Sequence, residues 1–389
     1  MSPTDPSPAE EGSSGQPGVS KGRTIGGSLV IFALALLAGL IVLTLVEQAI
    51  HYIWVEAAAD ITGPTMWIAV VGVTTVAGGL VALLRLKGQD GHNPMGGLAM
   101  VPVTLRHYPS ILAAILVTLL GGLVLGPEVA LVVTGSMVGT ELGRRLGVVG
   151  KTATLVGIVG AILALVVRPL LSGSNIIVPQ YTFSPIDVLG AIGVAAATAG
   201  TLYLARTLAL AVISLRGGDV PRIIPMMAIG AVIGLIAAGY REFTDNPIAI
   251  ILTSGEGMIE PLLGLGTAGA IMLATAFKWL VYALSLGGGF RGGPYFPALF
   301  VGAGIGGSAS LAIPDLSAGA AAAGIAAAFA YLFHGSWKAI IILGALVGLF
   351  FGGWQAMLIC IVAAAVAKIL PAVKITTSRE GDVSETLQR

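Results

Sequence analysis

"GGLVLGPEVALVVTG", residues 121–135, sets a carboxylate, Glu128, directly behind a Gly-Pro turn in the middle of an apolar run. A charged side chain in hydrocarbon costs at least about 2.5 kcal/mol, so one retained there faces a partner, a cavity or a path for ions. The turn matters as much as the acid. A helix that begins inside a membrane leaves its first N–H groups unpaired and presents roughly half a positive charge, which is tolerable only where that end is buried or lines water. Such an end favours anions. Proline in the turn fixes φ and needs no N–H partner, which suits a first-turn position.

The stretch has a second copy. Moving along the chain by the interval from Pro94 to Pro261 lays Gly97-Leu98 on Gly264-Leu265, Gly121-Gly122 on Gly288-Gly289, and Gly126-Pro127 on Gly293-Pro294, without a gap. The register continues through Gly135 on Gly302, Gly139 on Gly306 and Gly157-Ile158 on Gly324-Ile325. Glycine is abundant, yet an unbroken register over both Gly-Pro turns and the following Gly-x3-Gly points to a duplication. Transporter repeats of this kind, often inverted, place discontinuous helices near the bilayer midplane and the substrate at their interface. "GPEVALVVTG" and "GPYFPALFVG" are therefore expected to aim two positive helix ends at one locus. The alternative is that Gly-Pro merely punctuates ordinary loops. The Gly135/Gly139 and Gly302/Gly306 pairs allow close helix approach whatever the function.

The rest of the chain fits a membrane protein. Its 389 residues are 56% hydrophobic and 10% charged, with a mean hydropathy of +0.95, values outside the range of ordinary soluble domains. Residues 1–24, rich in Ser, Pro, Gly and Glu, read as a disordered tail, and 371–389 as another; neither suggests a folded regulatory domain. Between them, 25–370 reads as one transmembrane domain with repeat halves at about 25–180 and 186–370. The apolar run Ile25–Val46 is too long for a signal-peptide core and reads as a retained first helix. Several other apolar segments fall short of the roughly 20 residues that span hydrocarbon, so half-spanning helices are expected. The segment 337–370 is long enough for two.

Lys21 and Arg23 precede the first helix, Lys368 and Lys374 follow the last, and the first loop carries Glu56 and Asp60 without a base. The positive-inside rule then puts both termini in the cytoplasm, of a multi-pass protein of the cell membrane. Cys360 is the only cysteine and the four histidines have no ligand spacing, so neither a metal nor another cofactor is expected. "GRRLGVVGK" (143–151) reads as an interfacial basic loop, not a nucleic-acid patch. "GGGFRGG" (287–293) follows a membrane helix and lacks the strand context of a phosphate loop; with no nucleophile constellation either, an enzyme is not expected.

At the quoted residues the sequence resembles the CLC family of chloride channels and proton-coupled chloride antiporters, as a divergent bacterial-type member. "GLVLGPE" followed by "VVTG" resembles the family's Gly-Lys/Arg-Glu-Gly-Pro segment, with Glu128 where the family carries its gating glutamate. "GGPYFP" and "ALFVGAGIGG" resemble Gly-x-Phe-x-Pro and its helix, with Tyr295 in place of Phe. "DGHNP" (90–94) occupies the position of the family's Gly-Ser-Gly-Ile-Pro anion loop, and "SGEGMIEP" (254–261) resembles its counterpart in the second half. The resemblance implies an all-α, polytopic fold with inverted repeats and broken helices, a homodimer with one pore per subunit, and transport of a small inorganic anion, chloride by default. Glu128 would be the gate, and the pathway would run past Gly91, His92, Asn93, Pro94, Gly126, Pro127, Gly293, Pro294, Tyr295, Phe296 and Pro297.

The departures are equally specific. Gly91 stands where the family's anion loop offers a serine hydroxyl, "AKILPAVKI" lacks the later tyrosine, Pro294 removes one N–H, and Val129-Ala130 replace Gly-Pro. No acid follows "RPLLSG" in 168–180, where the antiporters' inner proton-relay glutamate is expected; this favours passive conduction over proton exchange. A proton-coupled or fluoride-selective exchanger and a non-conducting scaffold with a degenerate pore are the alternatives. Individual residues carry alternatives too. Glu128 is a gate or an acid reaching water at a helix N-terminus. His92 and Asn93 donate to an anion or bond their own turn. Tyr295 offers a hydroxyl or packs. Lys278 raises the local potential or extends to an interface. Arg168, Glu256 and Glu260 border turns, where solvation is the default.

Overall fold

The computed structural model describes residues 21–88, 91, 93–98, 101–148, 150–171, 181–313, 315–317, 319–373, 376–377 and 383–384. The chain runs through α1 (Lys21–His51), α2 (Gly63–Lys87), α3 (Tyr108–Leu120), α4 (Glu128–Leu146), α5 (Gly150–Ile162), α6 (Ala164–Leu171) and α7 (Ile186–Leu215). It continues through α8 (Ile223–Thr244), α9 (Ala249–Leu252), α10 (Ile259–Leu263), α11 (Ala268–Gly287), α12 (Tyr295–Ala312), α13 (Gly319–Phe333), α14 (Trp337–Gly352) and α15 (Met357–Ile369). The strands described are two-residue pieces, Thr376–Thr377 and Val383–Ser384. Seven helical runs among the described residues are long and apolar enough to cross a bilayer, while Tyr108–Leu120, Gly319–Phe333, Trp337–Gly352 and Trp354–Ile369 are shorter apolar helices. The run 337–370 does divide in two, at Gly353, whose φ of 72° breaks the helix.

The repeat read from the glycines is visible in the backbone. Gly122 and its counterpart Gly289 both sit at positive φ, 71° and 87°, so each half needs a glycine to turn out of the preceding helix. The helices that follow start on equivalent residues, Glu128 and Tyr295. Pro127 and Pro294 stand just before them as N-caps, one position earlier than expected for a first-turn proline.

Each of these helices then packs on its successor through the expected small residues. A Cβ on Gly135 would lie 2.3 Å from the carbonyl oxygen of Gly157, and one on Gly302 would lie 2.2 Å from that of Gly324. One turn on, Gly139 meets Ala153 and Gly306 meets Ala320 in the same way. The α4–α5 and α12–α13 pairs are thus held by backbone-to-backbone contact, the usual device where lipid supplies no hydrophobic drive between helices. A separate antiparallel pair, α2 with α8, crosses at Gly78 on Met226 and Gly230 on Thr74.

Candidate functional site

The two Gly-Pro turns meet. Gly126 N–H donates to the Gly293 carbonyl and Gly293 N–H donates to the Gly126 carbonyl, both at 2.7 Å, an isolated antiparallel bridge between equivalent residues of the two halves. Reciprocal bonding of this kind is a local two-fold relation, so the N-termini of α4 and α12 face one another across it.

Glu128 lies on that junction. It is only 4% exposed, which rules out the reading of an acid reaching open water. Its Oε1 accepts the backbone N–H of Tyr295 at 2.7 Å, so the carboxylate caps the opposite broken helix. Its Oε2 is buried with no hydrogen-bond partner. The carboxylate rests directly on the two glycines: a Cβ on Gly126 would meet Oε2 at 1.9 Å, and one on Gly293 would meet Cδ at 1.9 Å. Glycine is required at both positions by this approach, a stronger reason than turn geometry alone.

The neighbouring residues divide into contributors and packers. Tyr295 contributes its N–H; its ring packs on Phe329 at a centroid separation of 5.1 Å, so the packing alternative holds for the side chain. Pro294 offers its carbonyl to the Tyr282 hydroxyl at 2.7 Å. Phe296 is partly exposed and Pro297 buried within the first turn of α12.

In the first-half loop the turn-bonding alternative holds for Asn93. Asn93 does not present free donors: Oδ1 accepts from Met95 N at 2.9 Å, capping the 3-10 turn Pro94–Gly96, and Nδ2 donates to Asp219 at 2.9 Å. Gly91, at φ 70°, is exposed. With Ile111, Val129, Val132, Val133 and Ser136 it borders a cavity of about 160 Å³ against the first turns of α4. His92 lies outside the described residues, as do 172–180, where the missing inner acid was read.

Lys278 does not extend to an interface. It is fully buried in α11 and donates to the carbonyls of Ile250 and Ile251, each at 3.1 Å, and of Thr253, with its ammonium 4.8 Å from the Phe300 ring centroid. These carbonyls close the C-terminal end of α9, where a cation is favoured. Arg168 is likewise not simply solvated, since it pairs with Glu47 at 2.6 Å.

The sequence reading missed a set of buried arginines. Asp219 receives Arg216 at 2.5 Å, Arg291 at 3.2 Å and Arg85 at 3.4 Å, and Asn93 besides. Arg85 also donates to Gly289 O at 2.6 Å and Arg216 to Gly287 O at 2.8 Å, so the cluster clamps the turn that leads into Gly293. Arg206, in α7, is 9% exposed and donates through Nη2 to Met95 O at 2.7 Å. The signal was available: a base inside the apolar run "TLYLARTLALAV" (201–212) merits the same question as Glu128.

Comparison with known proteins gives a consistent answer. The family model described as "Voltage gated chloride channel" matches residues 148–370, more than half of the chain. YfeO of Salmonella schwarzengrund (strain CVM19633), provisionally named as an ion-transport protein, is 26% identical over 338 residues, covering 71% of this chain and 77% of its own. Among solved structures, a slow cyanobacterial Cl-/H+ antiporter superposes with a TM-score of 0.67 at 14% identity, covering 89% of this chain and 93% of its own. A eukaryotic CLC transporter superposes with a TM-score of 0.62 at 15% identity, covering 89% and 72%. At these identities the superpositions speak to the fold alone.

Proposed function

Because the chain belongs to the voltage gated chloride channel family and has that family's multi-pass membrane fold, we propose that it moves a small inorganic anion, chloride first, through the junction of the Gly126–Glu128 and Gly293–Pro297 turns, with Glu128 as gate. The observation that carries this reading is the Glu128 carboxylate seated on the Tyr295 amide. The N-terminal ends of α4 and α12 favour negative charge at that point. The carboxylate holds the place an anion would take, and the two compete for it. Protonation removes the charge that holds the side chain there and frees the amide for an anion. Gly91 then borders the approach, through the cavity beside Val129, with Asn93 and Pro94 following it in the same loop.

Passive conduction is the form of transport proposed. The exchanger reading is kept for one reason, the antiporter with which the fold superposes. Both termini on the cytoplasmic side of the cell membrane, and a homodimer with one pathway per subunit, complete the proposal. The test is flux from liposomes loaded with chloride, fluoride or nitrate, with pH recorded simultaneously. Flux of chloride without proton movement supports a channel; stoichiometric proton movement replaces it with an exchanger. No flux of any anion from folded protein rejects transport in favour of a scaffold.

A further inference from the structure

Trp54 is out of place for a tryptophan at the end of a membrane helix. Such a residue ordinarily anchors at the bilayer interface, and its exposed neighbour Tyr52 is placed for that. Trp54 is only 3% exposed. Beyond His51 the chain continues from α1 into a π-helical turn, Tyr52–Ala57, in which Trp54 is the buried residue. Single π-helical turns are rare and frequent at functional sites.

The indole reaches the turn that leads to Glu128. Its Nε1–H donates to the carbonyl of Leu120, the last residue of α3, at 3.0 Å. Its ring covers Gly122, where a Cβ would lie 2.8 Å from Cζ2. The second half repeats this arrangement with a different side chain. Arg216 Nε donates at 2.8 Å to the carbonyl of Gly287, the last residue of α11. Its guanidinium covers Gly289, where a Cβ would lie 3.0 Å from Cζ. Gly287 and Gly289 are the repeat counterparts of Leu120 and Gly122, and Trp54 and Arg216 each follow the first helix of their half, α1 and α7. In both halves, then, a planar N–H donor from that connection bonds the same carbonyl and lies on the same positive-φ glycine. Two unlike residues meeting one geometric need mark it as a requirement of the turn.

We infer that Trp54 is a positioning residue for Glu128: from the α1–α2 connection it fixes the first-half turn, and with it the seat of the carboxylate. The inference rests on the gating reading above. From Gly122 to the junction the chain is short and tied along its length. Leu123 N–H donates to Thr118 O at 3.0 Å, Val124 N–H to Ser285 Oγ at 3.0 Å and Gly126 N–H to Gly293 O at 2.7 Å. A shift at Gly122 therefore passes to Gly126 and Glu128 with little slack to absorb it. A looser turn holds the ionised carboxylate less firmly on the Tyr295 amide, and it is the hydrogen bond to the charged form that favours that form.

The test is chloride efflux from liposomes across a pH series, using the full-length protein as wild type, Trp54→Phe and Trp54→Ala, each alone and combined with Glu128→Ala. Trp54→Ala should move the flux curve to higher pH by about one unit, and Trp54→Phe, which keeps a ring over Gly122 and loses the N–H, by about half a unit. On the Glu128→Ala background, where the profile is flat, neither should have a further effect. Size-exclusion profiles establish folding, and if Trp54→Ala does not fold, Trp54→Phe decides. A lowered melting temperature with the wild-type pH curve in the folded variants leaves Trp54 a packing role alone and overturns the inference while gating stands. An equal change in flux with and without Glu128 overturns it too. A pH curve that Glu128→Ala leaves unchanged overturns the gating reading, and this inference with it.

Discussion

Glu128 Oε1 and the Tyr295 amide are 2.7 Å apart, and the two residues are 167 positions apart, the repeat interval itself. The first residue of one broken helix is thus tied to the first residue of its counterpart. If the carboxylate occupies the anion's place, its ionisation sets access. Wild-type flux should rise as pH falls, because protonation removes the charge that competes with the anion. Glu128→Ala should conduct at every pH with a flat profile. The measurement is chloride efflux from vesicles across a pH series; an unchanged profile in the variant removes the gating claim.

Gly293→Ala tests the same seat without touching the acid. The new methyl would lie 1.9 Å from Glu128 Cδ, so the carboxylate has to move off the bridge. The flux profile should approach that of Glu128→Ala, with a stability loss of about 1–3 kcal/mol from overpacking. Flux with wild-type pH dependence in a folded Gly293→Ala protein counts against the carboxylate's position as the control point.

Gly135→Ala and Gly302→Ala should behave alike. Their methyls meet equivalent carbonyls at 2.3 and 2.2 Å, and each should cost about 1–3 kcal/mol. Melting temperatures in detergent, compared pairwise with Gly139→Ala and Gly306→Ala, check whether the two halves are energetically as well as geometrically equivalent.

Lys278→Met leaves three buried carbonyls without their donor. A loss of about 3 kcal/mol or more is expected, since a buried unsatisfied acceptor costs about 1–3 kcal/mol. Thermal unfolding measures it; a melting temperature equal to wild type would mean that water or a rearranged end of α9 replaces the ammonium.

Asp219→Asn removes a carboxylate that Arg85, Arg216 and Arg291 share. Breaking a buried pair from one side costs about 3–5 kcal/mol. Here the damage should also reach the turn at Gly287 and Gly289, which Arg216 and Arg85 hold. Reduced melting temperature together with altered chloride flux is the expected outcome.

The fold was legible because its constraints are local and glycine-coded. Gly122 and Gly289 turn the chain, Gly126 and Gly293 accept a carboxylate, and Gly135 and Gly302 admit a neighbouring backbone; each leaves a fixed mark in the sequence. The site was legible only as far as the same marks reached. Tyr295 acts through its amide, which a reading of side chains passes over. Lys278 read equally as a source of positive potential or as a residue bound for an interface, because its carbonyl partners, 25 to 28 positions earlier, carry no side-chain signature. The arginine cluster joins residues as far as 204 positions apart, Arg85 to Gly289, and no spacing rule connects them. Asn93 follows the other reading open to a polar loop residue: its own turn and Asp219 consume both ends of the amide.

The reciprocal Gly126–Gly293 bridge works like a rivet at the middle of the molecule. Rocking one half against the other would shear two short hydrogen bonds at once, between two buried glycines. Swinging a single glutamate side chain asks for one bond, to the Tyr295 amide, and a few torsions. With Glu128 as the proposed gate, a joint built this way would keep the frame still and leave the smallest available lever free to turn.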